Sequence, residues 1–158
     1  MSEYARNDSP PPTGPHLKIF RVRAKEKMTF LIYGKVAKGF GTHWTGVRTS
    51  PCTMPLEKCT GHLEGWPYRW KAYLHVHCYE TQEEGFLELT GLARDSLLSQ
   101  MSGNGLRGQM ISVERGGGMK TRLRVRVLGE WSEADRGQLL AEKDPEDTLR
   151  SLWEFKRK

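Results

Sequence analysis

The 158-residue sequence predicts a mainly β protein, a small barrel with one internal helix. Three observations predict it. Residues 70–80 and 120–128 alternate apolar and polar side chains with the period of two that puts neighbours on opposite faces of a strand. One internal stretch, 92–101, has apolar residues at helical spacing instead. The length suits one domain with a core and appendages, divided as an arm at 1–16, a domain at 17–131 with an irregular insertion at 37–69, and a helical extension at 132–158.

Each element follows from its residues. Residues 1–16 join polar side chains to the run Pro10-Pro11-Pro12 and hold no apolar face to bury, so they are expected to be disordered. From 17 to 27, Lys18, Arg21, Arg23, Lys25 and Lys27 interleave with Phe20, Val22 and Ala24, an extended pattern. Residues 28–36 (MTFLIYGKV) are rich in β-formers, and Gly34 marks a bulge or bend. The insertion at 37–69 is punctuated by glycine and proline and reads as irregular. In the strand at 70–80, Ala72, Leu74, Val76 and Cys78 share one face and Tyr73, His75, His77 and Tyr79 the other. Residues 85–90 point Leu87 and Leu89 inward and Phe86 and Glu88 outward. The helix at 92–101 places Ala93, Leu97 and Met101 on one stripe and stops at Gly103-Asn104-Gly105. Strands at 106–114 and 120–128 flank Gly116-Gly117-Gly118. In the second, Leu123, Val125 and Val127 oppose Arg122, Arg124 and Arg126. Strand, insertion, strand, strand, helix, strand, strand is the element order of an OB-fold, a five-stranded Greek-key barrel with its helix between strands three and four.

The insertion carries the chemistry. His43, Cys52, Cys59 and His62 fall within twenty residues as His-x8-Cys-x6-Cys-x2-His, four donors of the kind a closed tetrahedral Zn2+ site uses. The closing Cys59-Thr60-Gly61-His62 turn is tight enough for both side chains to reach one ion, with Gly61 expected to relieve the backbone by a positive φ. Three cysteines are an odd count, no signal-peptide pattern is present, and no apolar run reaches the roughly 18 residues of a membrane span. A reduced, cytoplasmic setting is therefore expected, where cysteines close to histidines favour metal over a disulfide.

Element order and ligand spacing together resemble the T4-type bacteriophage single-stranded DNA-binding proteins over about residues 28–128. That family uses one histidine followed by three cysteines. His43, Cys52 and Cys59 match in type and order, while His62 stands where the family has cysteine, leaving Cys78 as the other candidate for the fourth position. The resemblance implies binding of single-stranded nucleic acid, expected to be DNA, with little sequence preference and no catalysis, in replication, recombination or repair. No acidic C-terminal tail of the T4 kind is present, since the chain ends Phe155-Lys156-Arg157-Lys158.

Single-strand binding needs flat rings for bases and cations for phosphates. Trp70, Tyr73, His75, Tyr79 and Phe86 are the expected platform, with Trp44 and Trp66 presented by the metal loop. Arg107, Arg115, Lys120, Arg122, Arg124 and Arg126, set against the single acid Glu114, are the expected phosphate track. A bland reading stands beside it, in which the charged face is only solvated and Tyr73 or Trp70 covers a second small core. The net charge of +6 suits a polyanionic partner but is also common in proteins that merely stay soluble.

Two other functions fit parts of the pattern. His75-Val76-His77 matches the metal ligands of HUH endonucleases, but such an enzyme needs a tyrosine nucleophile, and no tyrosine follows Tyr79. A metal-stabilised adaptor that binds protein fits the same His/Cys cluster. Residues 132–143 are expected to form a broken helix, and Asp144-Pro145-Glu146 to start a final one. Its stripe of Leu149, Leu152, Trp153 and Phe155 either packs on the barrel or docks another copy or a replication or recombination partner.

Overall fold

The computed structural model describes residues 17–101, 105–117, 122–131, 140–146, 148 and 149. The expected arm at 1–16, Lys120, and most of the extension at 132–158, including Leu152, Trp153 and Phe155, lie outside the described residues.

Among the described residues, eight strands form one open, mixed sheet accompanied by two complete helices. The strands are β1 (Lys18–Phe20), β2 (Lys27–Ile32), β3 (Lys38–Trp44), β4 (Thr49–Pro51), β5 (Tyr68–Cys78), β6 (Glu83–Thr90), β7 (Gln109–Arg115) and β8 (Leu123–Glu130). The helices are α1 (Thr60–Glu64), preceded by a 3-10 turn at Leu56–Lys58, and α2 (Gly91–Ser99). The order across the sheet is β1-β6-β5-β2-β7-β8, with β3 added to β5 and β4 to β3. β1 runs parallel to β6, and all other neighbours are antiparallel.

The insertion is not irregular throughout, a correction to the expectation for 37–69. β3 pairs with β5 from Lys38↔Tyr73 to His43↔Tyr68, and β2 pairs with the other end of β5, from Phe30↔Cys78 to Ile32↔Val76. β2 and β3 therefore act as one long strand broken by a bulge. The N–H groups of Tyr33 and Gly34 both donate to the His75 carbonyl, at 2.9 and 3.0 Å, so two residues oppose one at the glycine where the bend was expected. Glycines that looked like loop formers serve a different purpose. A Cβ on Gly39 would lie 1.8 Å from the Trp70 ring, so only glycine lets the indole cross β3.

The principal core is the inner face of the sheet: Phe30, Ile32, Ala72, Leu74, Val76, Cys78, Leu87, Leu89, Ile111, Val113 and Val125, closed by Ala93, Leu97 and Met101 from α2 and the turn after it. Thr90 caps α2, its hydroxyl accepting from Ala93 N–H at 3.2 Å. β6 and β8 do not pair among the described residues, so the sheet is open where a five-stranded barrel would close. Gln100 stands at that gap. Its amide donates to the Val125 carbonyl at 2.7 Å and accepts from Val127 N–H at 3.0 Å, satisfying the edge of β8 as a strand would.

The opposite, outer face is also covered. Tyr73 and Phe86 form a second cluster with Leu149, flanked by Leu17, Ile19 and Phe40. A third joins Leu31, Tyr33 and Trp131, with Met110 against them. The residues described at 145, 146, 148 and 149 are helical, and Asp144 Oδ1 accepts from Glu146 N–H at 2.9 Å, as the sequence led one to expect of a cap before Pro145. Leu149 packs onto the sheet. None of the described helices is long and apolar enough to cross a membrane.

Candidate functional site

β3, β4 and α1 bring the four predicted ligands together. His43 lies on β3, Cys52 directly follows β4, Cys59 caps α1, and His62 sits on α1 three residues later, on the same helical side as Cys59. Cys52 is pinned beside β3 by its N–H, which donates to the Gly41 carbonyl at 2.9 Å. The ligand atoms all lie within 4.8 Å of one another, so the group could hold a metal ion. Cys59 Sγ is 3.5 Å from His43 Nε2 and 3.9 Å from Cys52 Sγ, and Cys52 Sγ is 3.7 Å from His62 Nδ1. Bonds of about 2.3 Å to sulfur and about 2.05 Å to nitrogen at tetrahedral angles give edges of about 3.8 Å for S···S and about 3.6 Å for S···N. The observed spacings match those edges to within a few tenths of an ångström.

The surroundings prepare the donors. His43 Nδ1 is 3.1 Å from the Trp66 carbonyl. A carbonyl only accepts, so this nitrogen carries the proton and Nε2 keeps its lone pair for the ion. Burial pushes the Cys59 thiol up, but hydrogen bonds from the Thr53 N–H and from His62 outweigh it and bring the group down to about 5. Cys59 is thus poised as the thiolate a metal binds. Burial, with Cys59 beside it, raises Cys52. Gly61 is needed, but for a different reason from the one expected. It does not have a positive φ; instead a Cβ there would fall 2.2 Å from the His43 ring. Cys78 is excluded as a member of this cluster: it is fully buried in the principal core, facing Leu74 and Val76.

The expected stacking platform is largely dismantled. Tyr73, His75 and Phe86 do lie on the face opposite the core, but they are only 1%, 1% and 0% exposed, because Leu149 and Ile19 pack on the cluster and Lys143 meets His75. Here the second-core reading was correct for Tyr73. Its hydroxyl donates to Glu88 at 2.8 Å, and burial with that carboxylate beside it raises its pKa. Trp70 has the parity of Ala72 and Leu74, so it packs against the principal core, with the Arg94 guanidinium 5.0 Å above its ring. Tyr79 remains 56% exposed. His75 cannot serve a metal: Nε2 meets Glu84 at 2.5 Å and Nδ1 accepts from Lys143 N–H at 3.1 Å. His77 meets Gln82 at 3.2 Å. Both members of the pair named for an HUH centre are thus hydrogen-bonded within the fold.

The expected phosphate track also divides. Arg107 donates to the carbonyls of Tyr33 and Leu140, and Arg115 to that of Val22, so both tie the backbone together. Arg122, Arg124 and Arg126 are exposed, as predicted, but β8 is at the far edge of the sheet from β3 and β6.

A different basic site lies beside the metal cluster. A cavity of about 330 Å³ is lined by Arg21, Arg48, Arg69 and Lys71, with Trp44, Thr42, Thr49 and Glu88. Arg69 lies 5.8 Å from the Trp44 ring, a cation–π contact that holds both side chains. Glu88 is the one acid in the lining, and it is shared between Arg21 at 3.3 Å and Lys71 at 3.6 Å. His43 belongs to both sites, but strand parity puts its side chain with Tyr68, on the side of β3 away from Thr42, Arg69 and Lys71, so the cluster and the cavity lie on opposite sides of that strand. Sequence reading named Trp44 but missed the cations. Their signal was present in strand parity, which places Arg69 and Lys71 on the face of Tyr73, opposite Thr42 and Phe40.

No protein-family model, no curated protein and no solved structure matches the chain.

Proposed function

We propose that this protein binds single-stranded nucleic acid, expected to be DNA, on an OB-type sheet with a structural Zn2+ in the loop after its first strand. The observation that carries the reading is the position of the basic cavity. In an OB-fold, oligonucleotides lie on the face of strands two and three, flanked by the loop between strands one and two. The pairings of β2 with β5 and β7, of β5 with β6, and of β7 with β8 correspond to OB strands one with two and four, two with three, and four with five. The broken strand formed by β2 and β3 then stands for strand one. Arg69 and Lys71 lie on strand two of that scheme, Glu88 on strand three, and Trp44 at the end of strand one, where the metal-bearing connection begins.

The mechanism follows from the lining. Arg21, Arg48, Arg69 and Lys71 neutralise phosphates, and Trp44 offers a face on which a base stacks, contributing on the order of 1–3 kcal/mol. Cation contacts of this kind are insensitive to base identity, so weak sequence preference is expected. Two thiolates and two imidazoles in a closed set suit zinc over calcium or magnesium, which take oxygen ligands. Bound there, zinc would hold β3, β4 and α1 in a segment with little core of its own.

The test is binding to labelled single-stranded and duplex oligonucleotides across a salt series, with and without a chelator, alongside elemental analysis. The expected result is one zinc per chain and single-strand binding that weakens with salt and with metal removal. A folded, metal-free protein would refute the zinc. Lack of salt-sensitive single-strand binding would refute the function.

A further inference from the structure

We propose that the cavity receives the phosphorylated end of a single strand, holding a terminal phosphomonoester among Arg21, Arg48, Arg69 and Lys71 with the terminal base against Trp44. This rests on the single-strand reading above and specifies which part of the strand the cavity takes.

Charge is the first argument. Four cations converge on one cavity whose lining holds a single acid, Glu88. An internal phosphodiester carries one negative charge, whereas a phosphomonoester carries about −1.5 to −2 at neutral pH and offers three strong acceptor oxygens. Three arginines supply the forked donors that match such a group. Size is the second argument. At about 330 Å³ the cavity is near the lower limit of small-molecule sites, about 300 Å³. It accommodates one nucleotide, not a run of them.

The third argument is that the cavity is blocked on one side. Past Lys71, the outer face rises into Phe40 and Tyr73, whose rings are 6.0 Å apart, and then into Leu149 and residues 142–144. That segment meets a continuing strand with carboxylates. Asp144 holds Lys38 at 2.7 Å, and Glu142 accepts from the N–H groups of Lys35 and Val36 at 2.7 and 3.3 Å. Glu84 is bound to Lys143 at 2.9 Å on the same side. Lys38, Lys143 and the N–H groups of Lys35 and Val36 are thus already matched to acids. A strand that enters over the β3–β4 hairpin therefore ends in the cavity.

The experiment compares oligothymidylates of one length bearing a 5′-phosphate, a 3′-phosphate or hydroxyls at both ends, together with circular single-stranded DNA and thymidine monophosphate as a competitor. One phosphorylated end is expected to bind about tenfold more tightly than the hydroxyl-ended strand and the circle, as one added charge-assisted contact would give. Arg69→Gln, at an exposed side chain, should abolish that difference, and Arg48→Gln provides a second variant at the same wall. Equal affinity for the circle and for every linear strand would overturn end recognition while leaving single-strand binding intact. A mononucleotide that competes as well as the phosphorylated strand would make the free nucleotide the ligand and overturn the assignment to a strand end. Failure of all the DNAs to bind would remove both readings.

Discussion

Gly61→Ala should abolish the proposed metal binding without touching a ligand. An alanine Cβ at this position falls 2.2 Å from one carbon of the His43 ring, 2.3 Å from another and 2.7 Å from Nε2. Carbon atoms in contact prefer about 3.5–4.0 Å, so the ring or α1 must move by more than about 1 Å. His43 is 1% exposed and cannot swing aside. Metal–ligand distances tolerate about 0.2 Å, so a displacement of that size removes His43 from coordination. Loss of an outer-shell partner alone typically costs 10–100-fold in metal affinity, which sets a lower bound of about 1.4–2.7 kcal/mol here. Local propensity acts in the opposite direction, since alanine is the better helix former by about 1 kcal/mol and residue 61 lies in α1. A loss therefore reports the clash. The assay is competition with a chromophoric zinc chelator, with Gly105→Ala as the control, because nothing lies within 4 Å of its added Cβ. Wild-type affinity and one equivalent of zinc in Gly61→Ala would refute the assigned geometry.

Three further outcomes follow from the same contacts. Phe86→Ala should destabilise by about 3–5 kcal/mol in urea titrations as a core truncation, whereas Trp44→Ala should leave the midpoint in place and weaken single-strand binding by about 1–3 kcal/mol; the reverse pattern would restore the stacking role to β6. Burial lowers the pKa of His75 below its ordinary 6.5, against the pull of Glu84, so the unfolded chain binds the extra proton first and stability is lost as pH falls below about 6.5. The Glu84 carboxylate, held down by Lys143 and His75 against its burial, adds a separate loss below 4.5. Denaturant midpoints measured from pH 7.5 to 5 should therefore fall, and His75→Gln should flatten the slope; an unchanged slope would show that His75 is not the group responsible. Gln100→Ala should cost about 1–3 kcal/mol through its two bonds to the edge of β8, read as a lower urea midpoint at constant m value. An unchanged midpoint would mean that water replaces the glutamine.

Local patterns in the sequence carried a good deal of this. The inner face of β5, the two inward leucines of β6, the apolar stripe of α2 and the alternation of β8 were legible because a single period sorts them without reference to the rest of the chain. The four metal-binding candidates were legible for a similar reason: donor chemistry and short spacing are written locally. The failures all depend on what lies across a surface. Alternation shows that Tyr73, His75 and Phe86 share a face, but not that Leu149, more than sixty residues away, covers it. β3 was hidden because Gly39 and Gly41 weaken its strand pattern, and both are small for packing reasons visible only once Trp70 and Tyr68 lie over them. Arg107 and Arg115 looked like free cations because nothing in sequence announces a carbonyl across the fold.

His43 gives the two sites a shared mechanical basis. Its side chain joins the metal-binding candidates on one side of β3, and the next residue, Trp44, turns to the other side as the aromatic wall of the cavity. Beyond Trp44 the β3–β4 hairpin is held by few contacts: Thr45 N–H donates to the Arg48 carbonyl at 3.0 Å, and the Thr45 hydroxyl accepts from Arg48 N–H at 3.1 Å. Among the described residues, no cluster of buried apolar residues includes residues 45–51 or α1. Cross-linking by an ion would thus substitute for a core in a segment with none of its own, and it would do so at the residue adjacent to Trp44. On the proposed reading, metal removal acts on affinity through the placement of Trp44, Arg48 and Arg69, not through the charge of the cavity, because the cations themselves remain on the chain. The salt dependence of binding should then persist in the metal-free protein while overall affinity drops, which separates a zinc that shapes the site from one that contacts the ligand directly.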